Sequence, residues 1–148
     1  MGVAVKRTSV KPAGYSGTPL ARKLGIKETS RVALIHQPAH YFQLFTDFPA
    51  GARIVTGGKD RKDVIHFFTE SASELQKEIK RLRSGMEENG ALWISWPKKS
   101  SGRETDLNEN VIRDIALSNG LVDVKVCAID EVWSGLKLVI PLKDRRRV

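Results

Sequence analysis

Arg31-Val32-Ala33-Leu34-Ile35-His36 is the stretch on which the fold turns. Alternate side chains of a strand point to opposite faces, so four successive apolar residues describe a strand covered on both sides. Such strands belong to parallel sheets, whose neighbours are reached by crossover connections.

Working outward, Thr18 suits an N-cap, Pro19 a first helical position and Gly25 a helix exit, which predicts a short helix before this strand. After it, Tyr41, Phe42, Leu44 and Phe45 predict a helix over 39–47. Arg53 to Thr56 reads as a second strand ending at Gly57-Gly58, and Val64 to Thr69 as a third. Ser71 and Glu74 form a capping box ahead of Leu75, Ile79 and Leu82, predicting a helix to Ser84 that Gly85 ends. Ala91 to Trp96 is a fourth strand stopped by Pro97. Asp106 and Glu109 form a second capping box for a helix over Leu107 to Ser118, with Asn119-Gly120 as its stop. In Leu121 to Ile129, Val122, Val124 and Val126 alternate with Asp123 and Lys125. In Leu136 to Pro141, Leu136, Leu138 and Ile140 flank Lys137, so the two segments suit strands pairing at a sheet edge. Strands alternating with helices and closed by a hairpin-like pair predict a three-layer, Rossmann-like α/β sheet, mostly parallel, with an antiparallel C-terminal edge strand.

The chain has 148 residues and a formal net charge of +8, enough length for one domain with a real core. Residues 1–11 hold Lys6, Arg7 and Lys11 without an acid, and residues 143–148 hold Lys143, Arg145, Arg146 and Arg147 against Asp144. Each end therefore carries +3, and the domain expected over 12–142 carries only +2. Basic tails can attract a phosphate backbone without reading its sequence, and they serve equally as solubility tails. A single cysteine excludes a disulfide framework. No apolar run is long enough for a membrane span and no signal-peptide pattern opens the chain, so a cytoplasmic protein is expected.

In an open parallel sheet, ligands bind beyond the carboxyl ends of the strands. That rule selects His36-Gln37, Gly57-Gly58, Thr69-Glu70, Trp96 to Ser101 and Asp130 to Gly135. Dinucleotide and methyl-donor sites need glycines just after the first strand, so that the backbone can approach the ligand. Here His36-Gln37-Pro38-Ala39-His40-Tyr41 stands there, with no glycine between Gly25 and Gly51. Neither a nicotinamide nor a methyl-donor cofactor is expected.

The candidate ligand-binding residues are His36, Trp96, Lys98, Lys99, Ser100, Ser101, Trp133 and Ser134. Two lysines, two serines and Gly102 can present ammonium groups, hydroxyls and backbone N–H groups to a phosphate or carboxylate. Solvated loop charges explain the lysines about equally well. Trp133 can stack on a ring, although hairpin packing is the commoner use. Trp93 is expected in the core, and His66, between Ile65 and Phe67, as a satisfied core or face residue. Pro38 spoils the four-residue spacing of His36 and His40 as a metal pair, so no metal site is expected. Cys127 lacks the surroundings of a nucleophile.

Gly14-Tyr15-Ser16-Gly17-Thr18-Pro19-Leu20, Trp96-Pro97-Lys98-Lys99-Ser100-Ser101 and Trp133-Ser134-Gly135-Leu136-Lys137-Leu138-Val139 resemble a bacterial family of small proteins catalogued as a domain of unknown function. The resemblance spans about residues 12–142 and implies no activity. The order of elements is also similar to a trimmed class I methyltransferase, from which the chain departs at the glycine loop. Three functions follow as expectations. The first is a module binding a small anionic or aromatic ligand, or a protein partner, at the rim. The second is an enzyme using His36 as acid or base and Lys98 or Lys99 as an anion clamp. The third is a nucleic-acid binder acting through the basic ends.

Overall fold

The structure is a computed structural model that describes residues 18–57 and 59–146. The basic leader, the Gly14–Gly17 approach, Gly58 and Arg147 lie outside the described residues. In chain order the elements are α1 (Leu20–Leu24), β1 (Arg31–Ile35), β2 (Arg53–Ile54), β3 (Lys62–Phe68), α2 (Ala72–Ser84), β4 (Met86–Pro97), α3 (Glu109–Ser118), β5 (Val122–Ala128) and β6 (Trp133–Val139).

The six strands form one sheet in the order β2-β1-β3-β4-β6-β5. β1 pairs in parallel with β2 and β3, β3 in parallel with β4, and β6 antiparallel with both β4 and β5. The mostly parallel α/β sheet is as expected, but the antiparallel strand is not the edge. β6 inserts between β4 and β5, so β5 forms the edge and runs parallel to β4. A hairpin entering beside β4 through its second strand produces that order.

Period-2 alternation feeds two cores. Ala33, Ile65, Phe67, Leu92 and Ile94 pack with Leu75, Ile79 and Leu82 of α2 and with Ile112 and Ile115 of α3. Val32, Val64, Phe68 and Trp93 pack with Leu20, Ala21 and Leu24 of α1 and with Tyr41. The first face is covered by helices. The second is covered by α1 and by the largely irregular segment from His36 to Ala52.

That segment corrects the helix expected over 39–47, of which only a 3-10 turn at Tyr41–Leu44 exists. Tyr41 is drawn to the sheet, where its hydroxyl lies 2.9 Å from His66 Nδ1. Phe42, Phe45 and Phe48 pack edge-on among themselves and with Tyr41. Aromatic packing and the flanking Pro38 and Pro49 outweigh the helical spacing of the apolar residues.

Caps also differ from their sequence signatures. α1 starts one residue later than expected, and its first N–H groups are met by Asp47 rather than Thr18. Ala21 N and Arg22 N donate to the Asp47 carboxylate at 3.0 and 3.1 Å. Gly25 exits the helix at φ 83° as expected. α3 is capped by Asn108, whose Oδ1 accepts from Val111 N at 2.9 Å. Asp106 accepts instead from Ala72 N, at the start of α2. In β5, a register irregularity between Asp123 and Lys125 breaks the alternation. Val124 and Val126 are consequently exposed, at 54% and 49%. Arg145 and Arg146 are docked: Arg145 Nε donates to Ile140 O at 2.8 Å, and Arg146 N donates to Glu88 at 2.7 Å.

Candidate functional site

The chain enters the sheet at β1, steps to β2 on one side and returns to β3 on the other, so the strand order reverses between β1 and β3. Open α/β sheets form their ligand crevice beyond such a reversal. Here the residues at that place are His36 after β1 and Thr69 after β3.

His36 has φ 59°, and among the described residues it alone combines a side chain with positive φ. The left-handed region costs a residue with a Cβ roughly 1–2 kcal/mol. Its ring lies 5.6 Å from that of Phe67, and its Nδ1 is 3.4 Å from Glu74 Oε2. The other oxygen of Glu74 accepts from the Thr69 hydroxyl. This departs from a complete capping box. Ser71 Oγ accepts from Glu74 N at 3.2 Å, whereas Ser71 N donates to Thr69. The Glu74 carboxylate is thereby released toward the rim, where imidazole, carboxylate and hydroxyl join β1, β3 and α2 across the crevice.

Lys98, Lys99, Ser100 and Ser101 leave the end of β4, with β3 standing between them and β1. Two inter-strand steps are about 10 Å, and His36 turns toward α2. His36 and the lysines thus occupy separate parts of the rim. The Lys98 loop is held by bonds from Lys98 N to Val132 O at 2.7 Å and from Ser101 Oγ to Lys98 O at 2.7 Å. Ser101 Oγ also accepts from Arg103 N, so its hydroxyl is committed within the loop. Lys99 and Ser100 are exposed, and Lys98 is half-buried. Burial draws the Lys98 ammonium below the ordinary lysine pKa, and Lys23 adds to this, while Asp130 and Glu131 oppose it.

Trp96 and Trp133 do not offer free rings. Each is only 7% exposed, Trp96 in the helix-covered core and Trp133 in the opposite one. Trp133 packs edge-on against Phe68, and the Arg103 guanidinium stands 5.4 Å above its ring centroid. Ser134 stands within β6 opposite Trp96 and Ala128. Gly135 is part of the same strand, and a Cβ there would lie 3.0 Å from Ile129 and 3.2 Å from the Trp93 ring. The Trp-Ser-Gly string therefore serves close packing.

Other rim contacts carry no local sequence signal. His40 Nε2 is 3.1 Å from Asp130 Oδ2, across 90 residues of sequence. Arg103 Nη1 donates to Glu70 at 3.0 Å. The two rim histidines thus face different carboxylates. His66 is wholly buried and hydrogen-bonded to Tyr41 and, at 2.8 Å, to Ser95 Oγ. Burial pushes the Cys127 thiol up, against Lys23 and Lys125, which disfavours the thiolate.

The residues at this end of the sheet fit a methyl donor or dinucleotide poorly. His36 places a side chain where the backbone must be bare, and its contact with Glu74 bridges the crevice. β2 ends at Ile54 and leads into Val55-Thr56, without at that point the acidic residue that a ribose needs.

No family model and no curated protein matches the chain. Among solved structures it is similar to the mitomycin 7-O-methyltransferase MmcR, at 11% identity and a TM-score of 0.60, covering 87% of this chain and 51% of that one. It is also similar to the O-methyltransferase NcsB1 from neocarzinostatin biosynthesis, at 10% identity and 0.58, covering 76% and 49%. A putative methyltransferase from Thermoplasma acidophilum is matched at 5% identity and 0.55, covering 86% and 76%. The chain spans about half the length of the first solved structures it matches. At these identities the likeness establishes a Rossmann-like fold of the methyltransferase type.

Proposed function

We propose that this chain is a binding module on a methyltransferase-type scaffold, working without a methyl donor or nicotinamide and receiving an anionic group at the Lys98–Ser101 loop. One observation carries the proposal: the crevice at the strand reversal is bridged by His36, in a left-handed conformation and held by Glu74. A scaffold closed there keeps the rest of its rim for recognition. The loop is braced by its own hydrogen bonds, and it turns Lys99 and Ser100 outward beside Lys98. Bracing lowers the entropy lost on binding. With both tryptophan rings packed inside, the ligand is anionic rather than aromatic, and it meets Lys98, Lys99 and Ser100.

Two measurements test this on the full chain. Titration calorimetry with S-adenosylmethionine and S-adenosylhomocysteine should give no saturable heat. In thermal unfolding, phosphate or citrate at many times its Kd should raise Tm by roughly 4–12 °C, from about 2–3 kcal/mol of linkage. The double variant Lys98→Ala, Lys99→Ala should lose that rise. Saturable binding of either adenosyl compound, or an undiminished rise in the double variant, would overturn the proposal.

A further inference from the structure

Parallel strands ordinarily need a crossover of a dozen or more residues, usually containing a helix. The path from β2 to β3 is only residues 55–61, with no helix among its described residues. The face of β1 and β3 beside α2 is therefore left partly uncovered. A cavity of about 280 Å³ lies there, lined by Ala33, Ile35 and Ile65 on the sheet, Val55 to Gly57 on the crossover, and Leu82 at the end of α2. That size is at the small end for ligand pockets, which run roughly 300–1,000 Å³.

The charges around it are one-sided. Lys62 and Arg81 also line the cavity, and no carboxylate-bearing residue does. Lys62 is 8% exposed, and its ammonium has no hydrogen-bond or ion-pair partner among the described residues. An ammonium at an enclosed residue, with no acceptor from the protein, is complemented by an anion in the cavity it lines. Arg81 donates through Nε and Nη2 to Glu78 Oε1 at 2.8 and 2.5 Å. A guanidinium has five donors, so Nη1 remains for a second acceptor.

We infer that this cavity is a binding site for a small monocarboxylate with an apolar aliphatic or aryl body, its carboxylate facing Lys62 and Arg81 and its body on Ala33, Ile35, Ile65 and Leu82. The apolar floor selects the body, and the paired cations select the head. The site is separate from the Lys98 loop: it lies on the α2 face of β1 and β3, between the crossover that follows β2 and the end of α2, and no residue from Lys98 to Ser101 lines it.

Amide chemical-shift titration of the full chain tests it, with hexanoate and phenylacetate as probes and hexanamide and phenylacetamide as neutral matches. The acids should shift Ala33, Ile35, Thr56, Gly57 and Gly85 saturably, and the amides should bind about tenfold more weakly, as loss of a charged hydrogen bond predicts. Lys62→Met keeps the apolar stem and should erase the preference for acid. If that variant does not fold, Arg81→Gln should reduce the preference, and the wild-type comparison of acid with amide decides independently. Equal binding of acid and amide, or no saturable shift, would overturn the inference. Shifts centred on Lys98 to Ser101 would also overturn it, while favouring the rim proposal.

Discussion

Among single residues, His66 responds most strongly to its surroundings. It is wholly buried between Tyr41 and Ser95, and burial pulls its pKa from 6.5 to about 3. A neutral imidazole meets both partners by donating one bond and accepting the other. In the unfolded chain the ring takes up a proton as pH falls through 6.5, whereas the folded chain resists until about 3. Folding stability attributable to this ring therefore falls across that window, by up to about 1.4 kcal/mol per pH unit. His66→Gln should be less stable at pH 7 by about 1–3 kcal/mol, from disrupted buried hydrogen bonds. Its decline from pH 6.5 to 4 should be shallower than that of the wild type. Urea unfolding at stepped pH measures both, and parallel pH curves would show that the ring is not held neutral. Flanking Ile65 and Phe67 are enough to expect a satisfied core or face histidine, but they do not name its partners, which come from the segment between β1 and β2 and from β4.

At the scale of elements, periodicity was a good guide and terminal chemistry an uneven one. α2 begins as its Ser71 signature requires, because Ser71 Oγ meets Glu74 N within one turn. α3 does not begin at Asp106, since Asn108 supplies the capping oxygen and Asp106 instead serves Ala72 of the other helix. Asn108→Ala should cost about 1 kcal/mol and lower the protection of the first α3 amides. Asp106→Ala should loosen the start of α2 and leave α3 protected. Hydrogen exchange on the two variants distinguishes these outcomes, and fraying of α3 in the Asp106 variant would reverse the assignment. The segment over 39–47 departs from its helical spacing for a related reason. Its apolar spacing suits a helix, but the same aromatic residues gain more by packing on the sheet and on one another. In β5, the irregularity at Val124 shifts side-chain facing, which alternation along one strand does not reveal.

For the whole molecule, stability should grade from the middle of the sheet outward. β3, β4 and β6 are interior strands packed on both faces, while β2 is a two-residue edge with both residues exposed. Native-state hydrogen exchange should find the central amides of β3 and β4 protected at least about a hundredfold more than those of residues 53–57. Comparable protection would mean that the short crossover is as tightly bound as the core. No helix among the described residues is long and apolar enough to cross a membrane. Residue pattern alone was enough for the succession of strands and helices outside 39–47, the placing of most positive charge at the two ends, and the lack of glycine after β1. These are matters of composition, period and neighbouring residues. Only the tertiary structure decided that β6 enters beside β4, that His36 meets Glu74 while His40 meets Asp130, that both rim tryptophans are core, and that a cationic cavity opens beneath the crossover. Each depends on which strands lie side by side, and that is set by burying two apolar faces together.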